Sequence, residues 1–141
     1  MSNLKTAIIG CGKIADEHLQ QIRRVGGCEV VGACDLEPLM ARQACERFRI
    51  PRAFTSVSEL LDVCRPDVVH ITTPPQSHFA IARQCLEHDS HVYVEKPFTV
   101  DAVQAQALIS LAESRKLKVT VGHDLQFSHA ARRMRALIRQ G

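Results

Sequence analysis

The sequence predicts an α/β domain built on a doubly wound parallel sheet. Three observations carry that prediction. Short apolar runs alternate with helix-period segments from one end of the chain to the other. The runs are apolar at successive positions rather than at every second one, as strands covered on both faces require. A G-x-G-x-x-A spacing falls at the first run-to-helix turn. A length of 141 residues suits one domain with one sizeable core.

Leu4 to Ile9 (LKTAII) is the first strand, and Ala15, Leu19 and Ile22 then recur at helical spacing until Gly26-Gly27 stops them. Glu29 to Cys34 (EVVGAC) is the second strand, followed by a helix from Pro38 to Phe48 with proline in its first turn. A weak segment at Ala53-Phe54 leads into a short helix, Ser58 to Val63, and VVHIT (Val68 to Thr72) reads as a buried strand. The helix after it aligns Phe79, Ala82 and Leu86. HVYVE (His91 to Glu95) is the next strand, and Asp101 caps a helix reaching about Arg115. LKVTVG (Leu117 to Gly122) is the last strand, before a helix from about Ser128 on which Phe127, Ala131, Met134 and Ile138 line up. No repeat, linker or low-complexity tract divides the chain.

Bulk properties exclude several classes. With charged residues at 23% and a net charge of +3, nothing global suits nucleic acid or an acidic membrane as partner. The basic excess is local: Arg115, Lys116, Lys118, Arg132, Arg133, Arg135 and Arg139 face a single acid, Asp124, and read as the solvated side of a terminal helix. The 6 cysteines are scattered without a C-x-x-C pair, so no metal site is expected. They read as small core residues of a reduced, cytoplasmic protein. No apolar leader opens the chain, and no run reaches membrane-span length.

The chemistry-bearing residues sit at strand ends. Gly10 permits a tight turn, Cys11 follows it, and Gly12 leaves room for a pyrophosphate to approach the backbone. Ala15 is small enough for the helix to pack on the strand, and the N–H groups near Lys13 and Ile14 are free to meet phosphate. Asp35 ends the second strand at the distance where a dinucleotide fold carries its ribose-binding acid. With Glu37 nearby it disfavours a 2′-phosphate, so NAD is expected over NADP. In TTPPQSH, Thr72 to His78, Pro74 and Pro75 stiffen a loop to which Thr72, Thr73 and His78 contribute polar groups. In EKPF, Lys96 is placed to hold or polarise a substrate oxygen, with Glu95 restraining it; simple loop chemistry or a surface ion pair would look the same. Lys96-Pro97 is a candidate cis bond.

Taken together, GCGKIA, Asp35, TTPPQSH, EKPF and GHDLQFSH (122 to 129) resemble the nucleotide-binding half of the Gfo/Idh/MocA oxidoreductases. The resemblance runs in order through the whole chain, with EKP its most specific element. It implies a Rossmann domain over residues 1 to 141 that binds NAD(H) or NADP(H). Lys96 is implied to reach both nicotinamide ribose and substrate, with Thr73, Pro74, His78 and Glu95 lining or bracing the nicotinamide end. It also implies a second α/β domain for the substrate, often used in forming homo-oligomers, with a catalytic histidine in a D-x-x-x-H setting. No D-x-x-x-H occurs here. The expectation is therefore a cofactor domain, inactive alone, of a sugar or polyol dehydrogenase. Relatives often carry Asn and then Arg where this chain has Asp124 and Gln126, which removes one anchor for an anionic or polyhydroxyl substrate. The competing reading is a stand-alone nucleotide- or partner-binding module, presenting its basic last helix to an acidic partner or pairing with a second copy. His18, His70, His88, His91 and His129 receive no role from sequence.

Overall fold

The computed structural model describes residues 3–141. Along them lie β1 (Leu4–Ile9), α1 (Lys13–Ile22), β2 (Cys28–Cys34), α2 (Pro38–Phe48), β3 (Ala53–Phe54), α3 (Val57–Cys64), β4 (Val68–Ile71), α4 (Pro75–Glu87), β5 (His91–Val94), α5 (Ala102–Ser114) and β6 (Val119–Val121). A 3-10 turn over Asp124–Phe127 then leads to α6 (His129–Gln140). The helix boundaries have local causes. Glu37, Ser56, Asp101 and Ser128 cap α2, α3, α5 and α6 by accepting a hydrogen bond from a first-turn N–H. Four helices are followed by non-glycine residues in the left-handed region, Arg49 after α2, Arg65 after α3, Asp89 after α4 and Lys116 after α5.

The six strands form one parallel sheet in the order β3-β2-β1-β4-β5-β6. Strand order therefore reverses between β1 and β4, the position at which doubly wound sheets open a ligand crevice. Right-handed crossovers put α1 and α2 on one face and α3, α4 and α5 on the other. On the first face, Ile8, Cys11, Ala15, Leu19, Ala33, Ala41, Ala44 and Ile50 form one core. Four alanines there keep the helices close to the strands. On the second face, Ile9, Phe54, Leu60, Leu61, Val69, Ile71, Leu86, Val94 and Leu108 belong to a larger one. Each fully buried aliphatic contributes about 1.5–3 kcal/mol.

Two expectations change. Both faces were expected to be covered, yet among the described residues the α1 face beyond β1 meets no further helix, and His70 and Tyr93 are only partly buried there. Of the apolar residues expected to align on the last helix, Phe127 falls in the 3-10 turn before it, and α6 buries none of its residues: Met134 and Ile138 are 63% and 77% exposed.

The sharpest packing constraint lies at the switch point. Gly10 has φ +91°, and a Cβ added there would stand 2.8 Å from the Thr72 carbonyl carbon and from Thr73 N and Cγ2. Gly12 has φ −75° and would meet nothing within 4 Å. Gly10→Ala should therefore lower the unfolding free energy in urea by about 2–4 kcal/mol, combining left-handed strain with backbone overlap. Gly12→Ala should stay within about 1 kcal/mol of the parent chain. Equal losses for the two variants would contradict this account.

Candidate cofactor-binding site

The loop after β1 and the loop after β4 border a crevice of about 840 Å³, within the range of small-molecule and cofactor sites. Gly10, Gly12, Asp35, Thr72, Thr73 and Pro74 line its polar side, and Leu36, Met40, Val57 and Ile81 its apolar side. Gly12 is the N-cap of α1 and offers no side chain to that helix's first N–H groups. Ala15 N–H bonds back to the Gly12 carbonyl at 3.1 Å, while the Lys13 and Ile14 N–H groups have no partner within the helix and lie at the positive end of its dipole. A Cβ-free approach and unpaired donors form a cradle that suits a pyrophosphate.

The Asp35 carboxylate is held by backbone: Oδ2 accepts from Cys11 N–H at 2.7 Å and Oδ1 from Glu37 N–H at 2.9 Å. Each oxygen keeps a further lone pair for a sugar hydroxyl. The Glu37 side chain accepts from Leu39 N–H as the cap of α2, so a second negative charge stands beside Asp35.

The β4 loop is braced from behind. Thr72 Oγ1 donates to the carbonyls of Gly10 at 2.6 Å and Ile9 at 3.2 Å, and Ser77 Oγ donates to Thr73 Oγ1 at 2.8 Å. His78 is fully buried, with its two ring nitrogens 2.9 and 2.8 Å from the carbonyl oxygens of Pro97 and Thr73. It ties the TTPP loop to the EKPF loop, where the Lys96-Pro97 bond is cis. Pro75 takes the first turn of α4.

The predicted residues thus divide. Six border the crevice, while Cys11, Ala15, Pro75 and His78 support it from within the fold. Lys13 is exposed at the start of α1, and Lys96 and Pro97 are exposed beyond β5. Ile14 and Glu95 face elsewhere, onto a second hollow of about 500 Å³ between α1 and the open sheet face.

Glu95 does not restrain the Lys96 side chain as the sequence suggested. Its Oε1 lies 2.9 Å from His18 Nε2, and its Oε2 accepts only the Lys96 backbone N–H, at 3.3 Å. β5 ends at Val94 and the chain bends at Lys96, so adjacency in EKPF does not make a side-chain pair. His18 Nδ1 in turn lies 2.9 Å from His70 Nδ1, and the His70 ring stacks on Tyr93 with centroids 4.9 Å apart. Sequence reasoning gave neither histidine a role. The available signal was His70 itself, a polar residue inside an otherwise apolar strand.

Cysteine chemistry is absent from the site. Burial first and the Asp35 charge second push the Cys11 thiol up to about 12, and the same two causes take Cys34 to about 11. Thiols held this far from ionising are poor nucleophiles and ligands. Among the described residues no group of three or more His, Cys, Asp or Glu is arranged to hold a metal. Among them, too, no helix is long and apolar enough to cross a membrane.

Burial, reinforced by His18, lowers His70 from 6.5 to about 4. The unfolded chain takes up this proton near pH 6.5, whereas the folded chain refuses it until about pH 4. Stability is thus unaffected above pH 6.5 and falls as pH drops through that window. Urea unfolding of the parent and His70→Leu chains should show their stability difference shifting against the parent by up to about 3 kcal/mol on acidification. Parallel pH profiles would refute the assignment.

Comparison with known proteins agrees with this geometry. Residues 4–123 match the family described as "Oxidoreductase family, NAD-binding Rossmann fold". The chain is 35% identical over 123 residues to UDP-N-acetylglucosamine 3-dehydrogenase of Acidithiobacillus ferrooxidans, an alignment covering 87% of this chain and 38% of that protein. It is 28% identical over 141 residues to inositol 2-dehydrogenase of Salmonella paratyphi B, covering 98% and 42%. An Agrobacterium radiobacter oxidoreductase, solved with NAD+, L-tartaric acid and magnesium, superposes with a TM-score of 0.92 at 25% identity, covering 99% of this chain and 41% of that one. The chain therefore spans well under half the length of these relatives. The glycine cradle, the strand-end acid and the EKP loop, found together on this sheet, make the chain the NAD-binding Rossmann domain of a Gfo/Idh/MocA oxidoreductase.

Proposed function

We propose that this domain binds NAD(H) within a dehydrogenase acting on a sugar, a polyol or a related carbinol. The observation that carries the reading is one crevice that joins side-chain-free backbone at Gly12 to the Asp35 carboxylate at the end of β2. In this reading the first-turn N–H groups of α1 hold the pyrophosphate, and Asp35 accepts the hydroxyls of the adenosine ribose. Thr73 and Pro74 wall the nicotinamide end. The carboxylates of Asp35 and Glu37 repel a 2′-phosphate, which favours NAD over NADP.

The bound nicotinamide supplies a two-electron hydride acceptor or donor. Lys96, whose ammonium pairs with no carboxylate among the described residues, donates a hydrogen bond to the reacting oxygen of the substrate. That bond favours the oxygen in its more negative form. The proton acceptor and most substrate contacts come from outside these residues, and α6, exposed along its length, offers the surface on which such a portion packs. The substrate class is supported by relatives named for a UDP-sugar and for inositol.

Isothermal titration calorimetry tests the reading on this chain. NADH should bind, NADPH should bind at least about tenfold more weakly, and Gly12→Ala should lose NADH binding while staying folded, within about 1 kcal/mol of the parent. A folded chain that takes up no NADH at millimolar concentration would overturn it.

A further inference from the structure

The second hollow is where the structure holds chemistry that the dinucleotide reading does not use. Four side chains from three elements meet on the α1 face: His18 of α1, His70 of β4, Tyr93 of β5, and Glu95 just past β5. The His18 ring stands edge-on to both His70 and Tyr93, with centroids 5.2 and 5.1 Å away and interplanar angles of 89° and 87°. His18 and Glu95 are nearly enclosed, at 11% and 14% side-chain exposure.

One of the two hydrogen bonds of His18 has a fixed direction. A carboxylate only accepts, so the His18 nitrogen facing Glu95 carries the hydrogen. The other nitrogen lies 2.9 Å from His70 Nδ1, so one hydrogen is shared between the two rings. Glu95 thus decides which nitrogen of His18 is protonated toward it, and His70 orients the ring from the other side, as an outer partner commonly does for a working histidine. Burial keeps His70 neutral at physiological pH, with its ionisation lowered to about 4.

Glu95 is confined from the remaining side by Gly122. A Cβ there would lie 2.8 Å from Glu95 Oε1 and 3.3 Å from its Cδ, so the carboxylate occupies space that only glycine leaves open. The other oxygen accepts the Lys96 N–H. The chain of contacts therefore begins on the helix whose N-terminus is the phosphate cradle and ends on the backbone of Lys96.

We propose that His18 is a positioning residue for Lys96: oriented by His70, it fixes the Glu95 carboxylate and thereby sets the direction in which the EKPF loop leaves β5. The proposal rests on the reading that Lys96 serves the nicotinamide end of the cofactor. It couples the two ends of the dinucleotide site through the sheet face opposite α4 and α5. Its signature is selectivity, since a ligand that ends at ADP-ribose never reaches the EKPF loop.

Calorimetry of the parent, His18→Leu, His18→Gln and Gly122→Ala chains with NADH and with ADP-ribose makes the test. His18→Leu and Gly122→Ala should each weaken NADH by about tenfold and leave ADP-ribose within about twofold. His18→Gln, whose amide nitrogen can still donate to Glu95, should restore NADH binding to within about threefold of the parent. In the parent chain, the His18 side-chain nitrogen resonances should shift on adding NADH and stay put with ADP-ribose, a readout that needs no variant to fold. Unchanged NADH affinity in His18→Leu would overturn the proposal. So would a parallel loss of both ligands, which would make His18 merely a structural part of α1. A parent chain that binds ADP-ribose and NADH equally well, with no His18 shift, would remove the coupling while leaving the dinucleotide reading intact. A parent that binds neither would fail that reading itself and this inference with it.

Discussion

The close passage of Gly10 beneath the end of β4 is the constraint from which the site follows. Strand order reverses between β1 and β4, so the loops leaving these strands diverge to opposite faces of the sheet. They remain in contact only because Gly10 presents backbone to backbone, with Thr72 Oγ1 donating to its carbonyl and Thr72 N–H to that of Ile9. That contact sets how α1 starts. With Gly10 in the left-handed region, the chain turns so that Gly12 caps the helix and the Cys11 N–H points back to Asp35. A single backbone approach thus orients the helix dipole, the strand-end carboxylate and the β4 loop toward one crevice.

Around it, the fold assigns polar groups in two layers. At the mouth of the crevice, hydrogen-bonding capacity is unspent: the Lys13 and Ile14 N–H groups at the start of α1 and lone pairs on Asp35. Residues one layer behind find partners within the fold. A His78 N–H donates to one of the two carbonyls that flank the ring, Ser77 meets Thr73 and Pro74, and Thr72 meets Gly10 and Ile9. Among the described residues no buried side-chain nitrogen or oxygen lacks a partner. Buried polar groups left unpaired would cost roughly 1–3 kcal/mol each. Pairing behind the crevice is what lets the surface layer stay poised for a ligand without loss of stability.

Much of this was legible in the sequence, for reasons that differ by element. Helix α2 was placed to the residue because Pro38 marks its first turn, and Asp101 announced α5 through the chemistry of its cap. The elements of the proposed nucleotide cradle could be placed because its glycines, helix start and acid lie within one βαβ unit. Helix ends were less sharp, since Arg49 and Arg65 take the left-handed conformation that glycine would have signalled. The histidine network was not legible. His18, His70 and Glu95 are separated by 52 and 77 residues along the chain and meet only through the pairing of β1, β4 and β5. Local proximity misled in EKPF, because the chain bends at Lys96 and the Glu95 carboxylate is taken by His18 from a distant helix.

The uneven cover of the sheet explains where such a network can exist. Crossovers of the first half protect β1, β2 and β3 on the α1 face, and those of the second half protect β4, β5 and β6 on the opposite face. The α1 face of β4 and β5 is therefore left without a helix of its own. Apolar residues there would form an exposed patch on an otherwise parallel, aggregation-prone sheet. Residues that combine a ring with a polar edge fit both demands: His70 and Tyr93 stack on each other, and His18 closes over them while keeping its bond to Glu95. The same topology that opens the dinucleotide crevice on one side of β4 thus creates, on the other, a half-buried surface on which hydrogen-bonded rings can link the cradle helix to the lysine loop.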